Sequence, residues 1–345
     1  MMFSEKLINW YLQNKRDLPW RETRDPYRIW LSEIILQQTR VNQGMPYYER
    51  FTERFPTIGD LAKAEESEVM KLWQGLGYYS RARNLHATAK TVTQTHKEIF
   101  PQSYDEIIKL KGIGQYTAAA IASFAFEEKV GVVDGNVFRV LSRYFGIYDD
   151  ISVPATRKIF QELANDLVQN VSPSLFNQAI MDFGALQCVP KNPDCSICNL
   201  SDSCHAFRTG TVNELPVKTK KIKVTDRFFN YLVLEDLNGN TIVEQRIGKG
   251  IWQNLYQFPL IETEEYLSMD EIILLVSQKF PSLFSEITDV TKGEIVHKLS
   301  HQRLYIKFWK VKLNTVFERG ITQEQLKEYA FPIVIWNFIT SHYEK

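Results

Sequence analysis

Up to Phe207 apolar positions return every three to four residues, and the run is broken only by short Gly, Pro or Asp stretches. That is the period of a helix with one buried face. It predicts helices over 27–55, 67–76, 82–95, 104–110, 116–126, 137–145, 155–170 and 175–186, and nothing there alternates as a strand. After Phe207 the pattern changes. The stretch 215–224 is Lys-rich and contains Pro216, which suits a linker. Beyond it, 228–235 and 241–246 flank Leu237-Asn238-Gly239-Asn240, which reads as a hairpin turn between two strands. Leu304, Ile306 and Phe308 alternate with Tyr305, Lys307 and Trp309 as a strand should, and helical pieces follow Met269 and Thr322. The pattern predicts a multidomain chain: an all-α domain over 1–214, a linker over 215–225 and an α+β domain over 226–345.

A length of 345 residues agrees with two domains rather than one. The longest apolar runs, such as 29–36, are far too short for a bilayer span, and the first residues carry Glu5 and Lys6 with no signal-peptide core. A soluble cytoplasmic protein is expected. Net charge is zero, so bulk electrostatics do not announce a nucleic-acid partner. The part up to Thr225 does hold an excess of about three positive charges.

The four cysteines, Cys188, Cys195, Cys198 and Cys204, lie together, and the rest of the chain has none. A disulfide framework would spread them across the fold, so the clustering points to metal. Four thiolates can hold zinc or an iron–sulfur cluster, and spacing alone does not choose. His205 adjoins the last cysteine but is a bystander, because four sulfurs already fill the shell.

Two carboxylates stand out. Glu33 sits in Ile29-Trp30-Leu31-Ser32-Glu33-Ile34-Ile35-Leu36, apolar on nearly every face of a helix. Burial there raises its pKa and suits a proton donor; an exposed seam position is the bland alternative. Asp134 follows Val132-Val133 and precedes Gly135-Asn136, at the start of a helix. Taken alone it reads as an N-cap. About twenty residues upstream, Leu110-Lys111-Gly112-Ile113-Gly114-Gln115-Tyr116 joins two helical segments. Gly112, Gly114 and Gln115 would bring backbone N–H groups and a helix N-terminus close to a phosphate.

The hairpin, the aspartate after it and the Cys-x6-Cys-x2-Cys-x5-Cys spacing resemble the endonuclease III (helix-hairpin-helix) superfamily. Within it the chain is similar to the MutY-type adenine DNA glycosylases over essentially its full length. The matching stretches are Arg16-Asp17-Leu18-Pro19-Trp20-Arg21, Ser32-Glu33-Ile34-Ile35-Leu36-Gln37-Gln38-Thr39 and Gly75-Leu76-Gly77-Tyr78-Tyr79-Ser80-Arg81-Ala82-Arg83-Asn84-Leu85. The resemblance implies a helix-hairpin-helix glycosylase domain with a [4Fe–4S] cluster on the four cysteines, followed by a Nudix-like domain. It implies a monomer acting on duplex DNA with adenine opposite 8-oxoguanine or guanine.

Residue by residue, the resemblance implies that Glu33 protonates adenine and that Asp134, supported by Tyr116 and Asn136, stabilises the sugar cation. Arg16, Trp20, Leu36 and Gln178 would form the adenine pocket. Gln38 would wedge into the base stack, and Tyr78 would insert beside 8-oxoguanine. Gly250 to Pro259 matches a stretch of the second domain, while the glutamate signature of Nudix hydrolases is absent. Leu299-Ser300-His301 falls where the family has Phe-Ser-His, so Ser300 and His301 would read 8-oxoguanine without that aromatic contact. Two alternatives remain at this level. One is an endonuclease III-like glycosylase with lyase activity on oxidised pyrimidines, which Tyr116 disfavours by standing where such lyases carry lysine. The other is a non-catalytic damage-binding protein, which intact Glu33 and Asp134 disfavour.

Overall fold

The computed structural model describes residues 2–219, 223–281 and 283–343. Residues 220–222 of the expected linker lie outside these, as do the chain's terminal positions 1, 344 and 345. The chain forms two compact units, Met1–Lys63 with Asn84–Lys220, and Ala64–Arg83 with Lys221–Lys345.

The helical part runs α1 (Phe3–Asn14), α2 (Pro26–Leu36), α3 (Val41–Arg54), α4 (Ile58–Lys63), α5 (Glu66–Leu72), α6 (Ser80–His96), α7 (Tyr104–Ile107), α8 (Gln115–Phe126), α9 (Gly135–Phe145), α10 (Pro154–Val168), α11 (Pro173–Leu186) and α12 (His205–Thr209). Local chemistry sets several starts. Asp25 caps α2 by accepting from the Tyr27 amide, and Pro26 follows it. Ser172 and Pro173 do the same for α11. In α8 every residue from Thr117 to Phe124 is buried, so this helix runs through the middle of the first unit, packed on α2 and α11. Among the described residues no helix is long and apolar enough to cross a membrane.

The single helix expected over 27–55 is two. The chain leaves α2 after Leu36 and restarts at Val41, with Gln38 at φ +56° between them. A left-handed glutamine is uncommon and cannot continue a right-handed helix. The interruption falls on polar residues, so the apolar period passes over it undisturbed.

The second unit is built on β1 (Thr225–Glu235), β2 (Glu244–Gln245), β3 (Tyr256–Gln257), β4 (Leu260–Thr263), α13 (Met269–Lys279), β5 (Phe284–Asp289), β6 (Ile295–Lys298), β7 (Gln302–Leu313) and α14 (Ile333–Tyr343). Its main sheet is mixed, in the order β4-β1-β7-β5, with β6 also on β7. β1 runs parallel to β7 and antiparallel to β4. Alternation divides the central strands between two layers. Leu232, Leu234, Trp309 and Val311 pack with Ile272 and Val276 of α13. Tyr231 and Phe308 face the other way, where Phe308 stacks on Phe338 of α14 at 3.8 Å.

The expected hairpin of 228–235 with 241–246 does not form. The turn itself is present: Gly239 has φ +77°, and the Asp236 carboxylate accepts from the Asn238 and Asn240 amides. The chain then diverges, Thr241 bridges Ile321, and β2 pairs with β3. β1 is already flanked by β4 and β7, so no edge is free for the returning strand. The linear division at 214 and 226 also differs from the compact units in one segment, 64–83. Lys71 donates to the Tyr329 carbonyl and lies over the Trp336 ring, Asn254 donates to Glu66, and Arg83 donates to the Gln253 carbonyl.

Candidate active site

Glu33 lies mid-helix in α2 with 8% of its surface exposed. The Tyr116 hydroxyl, in the first turn of α8, hydrogen-bonds its carboxyl. Burial pushes the Glu33 pKa from 4.5 up to about 7; Asp134 adds to the rise, while Tyr116 and the positive charge of Arg21 oppose it. The Tyr116 hydroxyl also lies 3.3 Å from the Met181 sulfur. Burial raises the phenol's own pKa well above 10, so it stays a donor.

Asp134 is the N-cap of α9. One oxygen accepts from the Asn136 and Val137 amides, each at 2.8 Å, and the other from the Asn136 side chain at 2.9 Å. Burial raises its pKa, and these donors oppose the rise. Capping and catalysis are therefore compatible at this residue: the cap fixes the carboxylate where Glu33 feels its charge. Asn136 in turn accepts from Arg139, whose guanidinium also donates to the Gly184 and Cys188 carbonyls. One side chain ties the aspartate's loop to the first cysteine.

Of the expected pocket residues, Trp20 is buried edge-on against Tyr48, and Leu36 ends α2 half-buried. Gln178 is buried, accepts from the Tyr11 hydroxyl at 2.6 Å and donates to Ser174. Arg16 binds the carboxylate of Asp182. Arg16, Arg21, Tyr11 and Gln178 line one cleft of about 370 Å³. Sequence reasoning missed Arg21, Asp182 and Tyr11. The signal for Asp182 was available: an acid among the apolar residues Ala179, Ile180, Met181 and Phe183 of α11, one turn beyond Gln178, needs a buried cation.

Gly112, Gly114 and Gln115 are exposed at the start of α8. Gly112 has φ +77°, and a Cβ there would lie 2.6 Å from that of Asn84, so only glycine fits the turn. Gly114 caps α8 without a side-chain hydrogen bond, leaving its first amides facing outward. Gln38 is exposed on its left-handed backbone. In the second unit Tyr78, half exposed at φ +47°, has its hydroxyl 2.6 Å from the Ser300 hydroxyl. His301 beside it is exposed, and its carbonyl accepts from the Thr225 amide.

The four cysteine sulfurs ring one pocket with Val140, Tyr144, Phe183 and Leu200. The Arg143 guanidinium donates to Cys188 Sγ at 3.4 Å and to the Val189 and Pro190 carbonyls. Backbone amides of Leu200, Ala206 and Phe207 point at the sulfurs of Cys198 and Cys204. Burial pushes the Cys198 thiol up to about 11, aided by its neighbours' charge. Converging N–H donors on half-buried thiols suit thiolates, and thiolates so packed call for a cationic centre. Among the described residues no three His, Cys, Asp or Glu are arranged to hold a single metal ion. His205 packs instead over Gly146 and Tyr148.

Residues 31–166 match the HhH-GPD superfamily base excision DNA repair proteins, and 230–341 match the NUDIX domain. A thermostable thymine-DNA glycosylase superposes with a TM-score of 0.56 at 33% identity, over 60% of this chain and 95% of that one. An endonuclease III–DNA covalent intermediate shares the fold at 21% identity, with a TM-score of 0.51 over 60% of this chain and 94% of that one. The class is thus a helix-hairpin-helix DNA glycosylase domain carrying a Nudix-like α/β domain.

The adenine DNA glycosylase of Buchnera aphidicola subsp. Baizongia pistaciae (strain Bp) is 36% identical over 311 residues, 89% of this chain and 85% of that protein. The Arabidopsis thaliana adenine DNA glycosylase is 36% identical over 97% of this chain and 60% of its own length. That of Homo sapiens is 43% identical over 59% of this chain and 39% of its own length. The chain belongs to the adenine DNA glycosylase family.

Proposed function

We propose that the protein binds duplex DNA and hydrolyses the N-glycosidic bond of adenine mispaired with 8-oxoguanine, or with guanine. The observation that carries this is Glu33: a carboxyl buried among apolar residues, titrating near neutrality and hydrogen-bonded to Tyr116. Hydrolysis builds negative charge on the departing base and positive charge on the sugar. Glu33 supplies the proton to adenine, and Asp134 supplies the anion at the sugar. The base must leave the stack to reach them, with Gln38 and Tyr78 filling the gap and the Gly112–Gln115 turn holding the backbone. Arg16, Trp20, Leu36 and Gln178 receive the base, and Ser300 and His301 read the opposing 8-oxoguanine. Tyr116 offers no amine for a Schiff base, so the enzyme is chiefly monofunctional.

Cys188, Cys195, Cys198 and Cys204 would hold a [4Fe–4S] cluster, supported by their common pocket and the N–H donors around it. A cluster held there would tether the loop that Arg139 ties to Asp134. The test is incubation with duplexes carrying adenine opposite 8-oxoguanine, guanine or thymine, and with one carrying an oxidised pyrimidine, followed by alkali cleavage. Strand cleavage at adenine in the first two is expected; cleavage only at oxidised pyrimidines, or none, overturns the reading.

A further inference from the structure

Asp182 has no exposed side-chain surface and sits on α11 with two guanidiniums against it. Arg16 Nε donates to Oδ1 at 3.0 Å and Arg21 Nη2 to the same oxygen at 2.7 Å; Arg21 Nη1 closes on Oδ2. The Arg16 backbone amide also reaches Oδ2, at 3.4 Å. The Arg21 guanidinium lies 5.7 Å from the centre of the Tyr11 ring, whose hydroxyl holds Gln178. A single carboxylate thus holds Arg16 and Arg21 of the cleft and offsets part of their charge.

The charged and titratable groups facing Glu33 are Tyr116 from α8, Asp134 from the start of α9, and Arg21 from the turn Pro19–Arg21. Arg21 is the cation among them. Its guanidinium is only 11% exposed, so water screens its field poorly. Burial is the main reason Glu33 keeps its proton, and whatever neutralises Arg21 weakens the cationic charge that opposes this.

We propose that Asp182 is a positioning residue for base excision, holding Arg16 and Arg21 in the cleft wall and neutralising Arg21 so that Glu33 remains a proton donor at neutral pH. The inference rests on the reading of Glu33 as the acid. Removing the Asp182 charge leaves two guanidiniums uncompensated and favours ionised Glu33. Removing the Arg21 charge does the reverse. A residue that merely supported the fold would lower the rate equally at every pH.

The experiment uses the full-length holoprotein and single-turnover excision from an adenine:8-oxoguanine duplex between about pH 5.5 and 9. For Asp182→Asn the alkaline limb of the profile should move to lower pH by half a unit or more, with a loss of about threefold or more at pH 7.5 that acid partly restores. For Arg21→Gln the limb should move to higher pH. Both limbs staying in place, or both moving the same way, overturns the proposal. If Asp182→Asn does not fold, Arg21→Gln decides alone: an upward move supports it and an unmoved limb overturns it. If the wild type releases no adenine, the functional reading has failed. The clamp is then read without substrate, from the infrared titration of the Glu33 carboxyl taken as the difference from Glu33→Gln, with the same two shifts expected.

Discussion

Glu33→Gln separates chemistry from stability in a way the burial of this residue makes quantitative. Glutamine keeps the shape but cannot give a proton, so excision should be lost while duplex binding remains. Stability should change in the opposite sense. The Glu33 carboxyl titrates near 7 in the folded protein rather than near 4.5. At ~1.36 kcal/mol per pH unit, holding it ionised in the folded state costs about 3 kcal/mol. Because the folded pKa is the raised one, this contribution is fully favourable below pH 4.5 and is lost as pH rises through 7. The glutamine variant does not titrate. Its advantage over wild type should therefore grow by about 2–3 kcal/mol between pH 5 and pH 8. For a domain of this size that corresponds to roughly 5–10 °C in apparent melting temperature. The assay is thermal unfolding of both proteins at the two pH values and one heating rate, because unfolding of such a protein need not be reversible. An advantage that is the same at pH 5 and pH 8 refutes the claim that Glu33 is a strained, desolvated acid. Near-normal excision by the variant refutes its role as proton donor.

Asp134→Asn should also abolish excision, yet melt within about 1 kcal/mol of wild type because asparagine caps helices as well as aspartate does; normal excision by this variant removes the anion role. The purified protein should be brown, with about four irons per chain on its cysteine pocket, and a colourless protein with stoichiometric zinc overturns that assignment. Borohydride should trap little covalent DNA complex with the wild type, whereas Tyr116→Lys places an amine beside the sugar; strong trapping by wild type favours a lyase. Ser300→Ala with His301→Ala should cost about 1–3 kcal/mol of preference for adenine opposite 8-oxoguanine over adenine opposite guanine, with little change in single-turnover excision from a saturated adenine:guanine duplex. An unchanged preference at fixed salt moves the reader elsewhere.

What the sequence made legible was local. The helix start at Asp134 is written in its capping residue, and the pattern of apolar positions identifies α8, α9 and α11. Glu33 stands out because a carboxyl in so apolar a helix is costly to bury in its charged form. What was not legible depends on partners far away in the chain. β1 looks like one arm of a hairpin because the Asn238-Gly239 turn follows it, but its neighbours are β4 and the distant β7. Nothing near Lys71 says that it will meet Tyr329 and Trp336. The break at Gln37–Arg40 escaped for a different reason. Periodicity reports which face is apolar, and four polar residues on an exposed surface leave that signal intact.

The two carboxylates proposed for excision differ in where each stands on its helix, and the proposed tasks follow from that difference. Desolvation raises the pKa of both. Glu33 is in the middle of α2, where every backbone amide is already committed to the helix, so only the Tyr116 phenol can oppose that push by hydrogen bonding. Asp134 stands at the start of α9, where the unsatisfied amides of Asn136 and Val137 bind its carboxylate and the Asn136 side chain adds a third donor. An acid held mid-helix among apolar residues keeps its proton to give away. One set on a helix N-terminus has donors that oppose the rise and favour its anion. The backbone thus supports the proposed division of roles. Removing the third donor with Asn136→Ala should weaken Asp134 as an anion and, because Glu33 feels that charge, ease the ionisation of Glu33.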